Sequence, residues 1–279
     1  MTRTDVTTAR AGGTVVSADG TTIAYERSGR GPVVVLVAQA LSDRKDLRKL
    51  AELLAASHTV VNYDRRGRGD STDAGEWAIA REVDDIEALI DAHGGSAALF
   101  GASSGAVLAL DAAAALPSKV ARVAAFEAPV IVDDSRPPVP GGLADRLAAL
   151  VDEGRGSRAV TEFNRVALGA PAFMVASMRL MVPVWRAMVG MAATTVYDVR
   201  LCAGLQDGRA LPADRWTRLE VPALVLVGGK GEAFMQTGSA ALAELLDARR
   251  EVIPGAHHGT PMMRPAVLMP ELARFFGDR

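Results

Sequence analysis

Short apolar runs alternate with longer, helix-periodic segments along most of this chain. The run PVVVLVAQ at 32–39 is apolar on both sides, which is typical of a strand buried inside a sheet. SAALFG at 96–101 and VARVAAFE at 120–127 are predicted to be further strands, and an Asp-Gly pair predicts a hairpin over 14–28. Strands that alternate with helices predict an α/β fold with a mostly parallel central sheet and helices on both faces.

The alternation is interrupted once, in the middle of the chain. A proline cluster at 137–140 ends it, about seventy mainly helical residues follow, and the apolar run VPALVLVGG at 221–229 restores it. We therefore expect residues 1–134 and 212–279 to form the core and residues 135–211 to form a helical cap. Such an insertion would lie over the carboxyl edge of the sheet, where folds of this class bind ligands.

Composition excludes several classes of function. The 279 residues carry a net charge of −2, which gives no electrostatic reason to expect nucleic acid or a membrane surface as a partner. Cys202 is the single cysteine, so an intrachain disulfide and a cysteine metal site are excluded. The N-terminus lacks the apolar stretch of a signal peptide, and the apolar region 170–194 is interrupted by Arg179, Pro183 and Arg186. We expect a cytoplasmic protein.

The segment GASSG at 101–105 lies between a predicted strand and a predicted helix. In a sharp strand–turn–helix, Gly-x-Ser-x-Gly exposes the central serine, here Ser103, because both flanking residues are small. A phosphate-binding loop is the weaker interpretation, since neither Gly-x-Gly-x-x-Gly nor a Gly-Lys-Ser ending is present. Taken alone, the motif also fits a turn with no chemical role.

Three motifs in order resemble the α/β-hydrolase superfamily: YDRRGRGDS at 63–71, GASSG at 101–105 and PGAHHGTPMMRP after the last predicted strand. The resemblance covers residues from about 14 to 134 and from 212 to the end. It implies the α/β-hydrolase fold with a helical cap, and Ser103 as the nucleophile. The same fold also hosts lyases, cyclases and non-catalytic receptors, so fold alone does not decide the reaction.

A serine nucleophile needs a base to accept its proton. The resemblance places the catalytic histidine at His258, the second histidine of GAHHGTP. His257 is the less favoured candidate, and both could instead be loop residues that bind water.

A third group must orient the histidine and offset its charge. Superfamily members most often carry this acid after the strand VPALVLV, but Gly231 stands there, with Glu232 one residue later. A second solution resembles the haloalkane-dehalogenase arrangement and places Glu127 after the preceding strand. A carboxylate that ends an apolar strand is costly to bury without a partner, which favours Glu127. Glu232 remains the alternative, and neither residue being the acid is the third.

The oxyanion hole is expected at the backbone N–H groups of Gln39 and Ser104. Val37, Ala38 and Gln39 stand where relatives commonly have His-Gly-x, and the donor is the backbone of the third residue. A structural role for Gln39 in its loop stays open. We interpret YDRRGRGDS as structural, with tight turns at its glycines and charges that pair locally.

The predicted cap is rich in methionine and poor in charge. Helical spacing suggests two roles, packing between cap helices or a pliable apolar wall of the substrate pocket, and the two are compatible. The candidate pocket residues are Phe173, Met174, Met178, Met181, Trp185 and Met188. Scarce charge in this region favours an apolar or neutral small-molecule substrate.

These observations together predict a capped serine hydrolase of the esterase type, without metal or organic cofactor. It would cleave an ester, lactone or thioester of an apolar acid through an acyl-enzyme. The alternatives are a cyclase, lyase or C–C hydrolase on the same fold, or a receptor for an apolar ligand. Neither nucleic acid nor a membrane is expected as a partner, and the oligomeric state stays open, with a homodimer as one option.

Overall fold

An eight-stranded sheet forms the centre of the computed structural model, which describes residues 10–277. Its spatial order is β1-β2-β4-β3-β5-β6-β7-β8. The first two strands run antiparallel to their neighbours, and the other strands pair in parallel. The strands are β1 (Ala11–Val16), β2 (Thr22–Ser28), β3 (Val33–Val37), β4 (Thr59–Tyr63), β5 (Ala97–Ala102), β6 (Val120–Phe126), β7 (Ala223–Gly228) and β8 (Arg249–Ile253).

Helices cover both faces of this sheet, as the alternation of strands and helices predicts. Alternate residues of a strand point to opposite faces, so Val35 of β3 packs in one apolar cluster and Leu36 packs in the other. The helices are α1 (Arg48–Leu54), α2 (Ile79–Ala92), α3 (Ser104–Ala115), α4 (Leu143–Asp152), α5 (Gly156–Val166), α6 (Ala172–Met178), α7 (Val182–Gly190), α8 (Thr194–Leu201), α9 (Ala233–Leu245), α10 (Thr260–Met263) and α11 (Met269–Gly277). The predicted α/β class is confirmed.

Five of these helices, α4 to α8, lie between β6 and β7 in the chain. They have an apolar core of their own, in which Leu147, Val160 and Phe163 are almost completely buried. The last of them, α8, packs against α3, the helix that follows the GASSG segment. The domain boundaries at 134 and 212 stay a prediction.

Two helices differ from the sequence-based expectation. The charged, helix-periodic segment that starts at Asp43 predicts a helix from that residue, but α1 begins at Arg48, because the Asp43 carboxylate accepts the backbone N–H of Lys45 at 2.7 Å in a local turn. The sequence also predicts one closing helix over 264–276, but this range is divided into a 3-10 turn at Pro265–Val267 and α11, and the short helix α10 precedes it. Proline favours the first turn of a helix and not its interior, which accounts for this division.

Within residues 10–277, no single helix has both the length and the apolar character needed to cross a membrane. The helices α6 and α7 satisfy that test only when taken together, and they are bent by 101° relative to each other.

Candidate active site

Ser103 occupies the sharp bend between β5 and α3. Its backbone has φ +53° and ψ −125°, a left-handed conformation that residues other than glycine rarely adopt and that marks local strain. The bend is held by the Ser103 N–H, which donates to the carbonyl of Phe126 on the adjacent strand at 2.9 Å. Gly101 allows this turn, because a Cβ on it would lie 2.2 Å from the carbonyl oxygen of Gly105. This is the geometry expected of a nucleophile elbow.

Gly105 brings a second loop against the elbow. A Cβ on Gly105 would lie 2.3 Å from the carbonyl oxygen of Val37 and 2.6 Å from that of Ala38. Real side chains do not approach backbone so closely, so only glycine fits at this place in α3. The loop that follows β3, including Gln39, therefore lies beside the start of α3.

Glu127 and His258 form an acid–imidazole pair in which only the acid is buried. Glu127 follows β6 directly and has φ +46°, and its Oε2 lies 2.8 Å from Nδ1 of His258. Its other oxygen, Oε1, accepts the backbone N–H of Gly228 at 2.8 Å. The Glu127 side chain is fully buried, whereas 41% of the His258 side chain is exposed. A carboxylate in this position fixes the orientation of the imidazole, which leaves its Nε2 edge available for proton transfer.

The alternative candidates lie elsewhere in their loops. Glu232 is exposed and immediately precedes α9, and His257 accepts the backbone N–H of Gly259 at Nδ1 at 3.2 Å. Within residues 10–277, no hydrogen bond joins the Ser103 hydroxyl to the His258 ring. Catalytic hydrogen bonds often tighten only when substrate binds, so this link stays a prediction.

Two backbone donors lie free next to the elbow. Neither the N–H of Gln39 nor the N–H of Ser104 donates to an acceptor in the described part of the chain. The Gln39 side chain contacts Met262, with Nε2 2.8 Å from the thioether sulfur, which is a weak acceptor. The unpaired N–H groups are the two that the sequence analysis assigned to the oxyanion hole, and that role stays a prediction.

A buried network of charged groups surrounds these donors. Asp198 of α8 accepts the Ser104 hydroxyl at 2.8 Å, Arg65 at 2.8 Å and Arg68 at 2.7 Å. Arg65 also forms a two-bond pair with Glu82, with both distances at 2.7 Å. Two guanidinium groups thus face two carboxylates, so the cluster is balanced in charge although all four side chains are at most 2% exposed.

Burial alone would raise the pKa of Asp198, but the neighbouring Arg68 and Arg65 outweigh it and hold that pKa below its usual range. The carboxylate is therefore ionised throughout the neutral pH range. This ionised state is what both guanidinium groups and the Ser104 hydroxyl require, since each of them donates to it.

Comparison with known proteins identifies the family. Residues 16–271 match the model of the alpha/beta hydrolase family. The chain belongs to this family. Among solved structures, this alpha/beta hydrolase is similar to one from Sphaerobacter thermophilus DSM 20745, with 44% identity, 95% of this chain and 100% of that chain covered, and a TM-score of 0.86.

More distant relatives are also hydrolases. A match to the uncharacterized hydrolase YraK of Bacillus subtilis (strain 168) is 35% identical over 105 residues, which span 36% of this chain and only 39% of that protein. The esterase RhEst1 from Rhodococcus sp. ECU1013 is 24% identical, with 96% of this chain and 98% of that chain covered, and a TM-score of 0.67. At that identity the likeness shows the shared fold alone.

Of the predicted pocket residues, some are packed in the interior of this alpha/beta hydrolase and others lie on its surface. Trp185 and Met188 pack against the apolar core formed by the helices between β6 and β7. Phe173, Met174 and Met181 are exposed, with exposed fractions of 75%, 43% and 58%. Met178 is half-buried. Whether these side chains line the substrate pocket stays a prediction.

Sequence reasoning missed the Asp198 network. It expected the charges of YDRRGRGDS to pair locally, but Arg65 and Arg68 pair with Asp198, which is 133 and 130 residues away. One available signal was three arginines in a segment that directly follows a buried strand. The alpha/beta hydrolase also lacks, within residues 10–277, any group of three histidine, cysteine, aspartate or glutamate residues placed to hold a metal ion.

Proposed function

We propose that this alpha/beta hydrolase is a serine hydrolase that cleaves an ester, lactone or thioester of an apolar small molecule through an acyl-enzyme. The observation that carries the proposal is the 2.8 Å contact between Glu127 and His258. It joins an acid that follows β6, the strand next to β5 and the strained Ser103 elbow, to a histidine in the loop after β8 near the far end of the chain.

In the first half of the reaction, the Ser103 oxygen attacks the carbonyl carbon of the substrate. The Nε2 atom of His258 accepts the hydroxyl proton as the new carbon–oxygen bond forms, and the carbonyl electrons move onto the oxygen. Glu127 stabilises the resulting imidazolium through Nδ1. His258 then returns the proton to the leaving alcohol or thiol as its bond to the carbonyl carbon breaks, which leaves an acyl group on Ser103.

In the second half, water takes the place of the alcohol. His258 accepts a proton from the water as its oxygen attacks the acyl carbon, and then returns the proton to Ser103 as the acyl bond breaks. The carboxylic acid is released and the enzyme is restored. In both halves the negative charge on the carbonyl oxygen would be stabilised by the N–H groups of Gln39 and Ser104, which find no acceptor in the described part of the chain.

The substrate class follows from the composition of the cap. Between residues 168 and 193 the only charged residues are Arg179 and Arg186. The Arg179 guanidinium lies over the Trp185 ring, with its carbon 5.2 Å from the ring centre. Apolar side chains thus dominate this segment, which favours an uncharged acyl or alcohol group over a phosphate or a sugar acid.

A fluorophosphonate probe tests the nucleophile, because it phosphonylates an activated serine. We expect intact-mass and peptide analysis to place one adduct on Ser103 of the folded wild-type protein. Ser103→Ala should abolish the adduct, whereas Ser104→Ala, the adjacent serine, should keep it. Absence of labelling in a protein whose circular dichroism shows a folded state would contradict the proposal.

A panel of p-nitrophenyl esters with acyl chains of graded length tests the reaction and the substrate class together. We expect turnover that rises with chain length beyond acetate and disappears in Ser103→Ala. Wild-type ester turnover in Ser103→Ala would contradict the proposal. A Ser103→Ala variant that keeps its activity on the natural substrate would instead indicate a cyclase, lyase or C–C hydrolase that uses the site without an acyl-enzyme.

A further inference from the structure

One carboxylate of the cap contacts one side of the predicted oxyanion hole directly and the other side through an arginine. Asp198 accepts the hydroxyl of Ser104, whose backbone N–H is one of the two donors. Through its other oxygen it binds Arg68, and Arg68 donates to the carbonyl of Gln39 at 2.6 Å. Gln39 supplies the second donor.

Arg65 and Arg68 hold the two peptide groups on either side of Gln39. The Gln39 N–H belongs to the same peptide group as the Ala38 carbonyl, and that carbonyl lies 3.5 Å from Nη1 of Arg65. The Gln39 carbonyl belongs to the next peptide group, whose N–H is that of Ala40, so the hydrogen bond from Arg68 holds the loop on the other side of Gln39. Because each peptide group is planar, a donor that fixes its oxygen also fixes the direction in which its N–H points.

Asp198 in turn fixes the two guanidinium groups. It binds Arg65 at 2.8 Å through Oδ1 and Arg68 at 2.7 Å through Oδ2, and among the described residues it is the only carboxylate that binds Arg68. The four charges of the network are buried, so each side chain is confined by its partners and has no solvent to rotate into.

We propose that Asp198 is a positioning residue that ties the docked cap to the oxyanion hole, by holding Ser104 directly and the Gln39 loop through Arg68 and Arg65. The proposal rests on the proposed serine hydrolase function and assigns a role to a residue that touches neither the substrate nor the reacting atoms. It follows that the oxyanion donors point correctly only when α8 of the cap lies in place on α3.

The test removes the ion pair between Asp198 and Arg68 without leaving one of the two charges buried alone. Removal of one member of a buried ion pair strands its partner, whereas replacement of both members by neutral residues is often tolerated. We therefore choose the double variant Arg68→Met with Asp198→Asn. The control is Arg66→Met with Asp85→Asn, which removes an equally buried pair from the same loop, with its shorter contact at 2.7 Å, on the side that faces α2. Asp19, the other partner of Arg66, keeps its ion pair with Arg81 at 3.0 Å in this control.

We expect kcat for a p-nitrophenyl ester to fall by about 10-fold to 100-fold in R68M/D198N with little change in KM. Loss of one oxyanion donor outright reduces kcat by about 10²–10³-fold, and here the donors remain but point less accurately. The control R66M/D85N should keep kcat within about twofold of wild type, although its melting temperature should fall because Arg66 also pairs with Asp19, so both variants are assayed well below their melting temperatures. Equal losses of kcat in the two variants, or a wild-type kcat in R68M/D198N, would overturn the proposal.

Hydrogen–deuterium exchange provides a readout that does not depend on activity. In R68M/D198N the amides of residues 36–42 should exchange faster than in wild type, and in the control they should not. Unchanged exchange in a folded R68M/D198N protein overturns the tie, whatever the activity. Failure of wild-type protein to react with the fluorophosphonate would count against the hydrolase function instead, so the two failures are distinguishable.

Ser104→Ala covers the case in which the double variant does not fold. It removes only the 2.8 Å hydrogen bond to Asp198 and keeps the backbone N–H and every charge. We expect a several-fold lower kcat with unchanged KM and a melting temperature lowered by no more than about 5 °C, since only one hydrogen bond is lost. A kcat equal to that of wild type would contradict the proposed positioning of Ser104 by its hydrogen bond to Asp198.

Discussion

The carboxylate of Glu127 lies beside the backbone of Gly231. A Cβ placed on Gly231 would be 3.0 Å from Oε1 of Glu127 and 3.0 Å from the carbonyl oxygen of Gly228. Superfamily members that resemble this chain most often carry their acid at the position of Gly231. The structure therefore gives a physical reason for the glycine, because Glu127 reaches the same place from the end of β6.

This proximity predicts that the acid can be relocated. Glu127→Ala should nearly abolish ester hydrolysis. Adding Gly231→Asp to that variant should raise its rate of ester hydrolysis by about tenfold or more, because the new carboxylate would lie next to the space that Glu127 has left. Gly231→Asp on its own should lower activity, because two carboxylates would then compete for one site. Initial rates on one p-nitrophenyl ester test this order, and a double variant no better than Glu127→Ala would contradict it.

Substitution of Glu127 and substitution of Glu232 should have very different effects on kcat. Glu127→Gln keeps the size of the side chain but removes the charge that stabilises the imidazolium, so kcat should fall by about 10²–10⁴-fold. Glu232→Gln alters an exposed side chain before α9 and should change kcat by less than about twofold. Equal effects of the two substitutions would contradict the assignment of the acid to Glu127.

Gly105→Ala should destabilise the fold and disturb the oxyanion loop. The added methyl would overlap the carbonyls of Val37 and Ala38, so we expect a loss of about 1–3 kcal/mol or more in the free energy of unfolding. Gly141→Ala is the matched control, because nothing lies within 4 Å of a Cβ placed there. It should change the free energy of unfolding by less than about 0.5 kcal/mol. Urea unfolding midpoints measure both variants.

Acid should destabilise the protein partly through Asp19. Burial alone would raise the pKa of Asp19, but hydrogen bonds from Arg66 and Thr21 outweigh it and hold that pKa well below the usual value. A carboxyl with a lowered pKa in the folded state contributes stability that is complete above the unfolded pKa, about 3.9 for aspartate, and that is lost as pH falls through the folded pKa. Asp19→Asn should therefore lower the free energy of unfolding at pH 7. Below about pH 4, that free energy should fall less steeply with pH in the variant than in wild type.

Urea unfolding at pH 7, 5, 4 and 3 measures this dependence for wild type and Asp19→Asn. Glu220→Gln, which alters an exposed side chain, should leave the profile as in wild type. If the difference in stability between wild type and Asp19→Asn stays constant from pH 7 to pH 3, the ion pair with Arg66 does not stabilise the fold in the way described.

Local sequence patterns predicted the sheet and its order of elements because each pattern reports on a few neighbouring residues. The buried run at 32–39 and the Asp-Gly hairpin depend only on burial and turn geometry. Glu127 stood out because a charged group ends an apolar strand, and the structure places it against His258. The partners of Arg65 and Arg68 could not be found in this way, since Asp198 reaches them only after the cap has packed on α3.

The position of Asp198 on α8 limits how freely caps can be exchanged between relatives. Among the described residues, the one ion pair made by side chains of α4 to α7 joins Arg146 of α4 to Glu162 of α5 and does not reach the core of the fold. A chimera that grafts a foreign lid onto this scaffold should therefore retain residues 194–201 as part of the scaffold, and diversification of the lid would be confined to the helices before them.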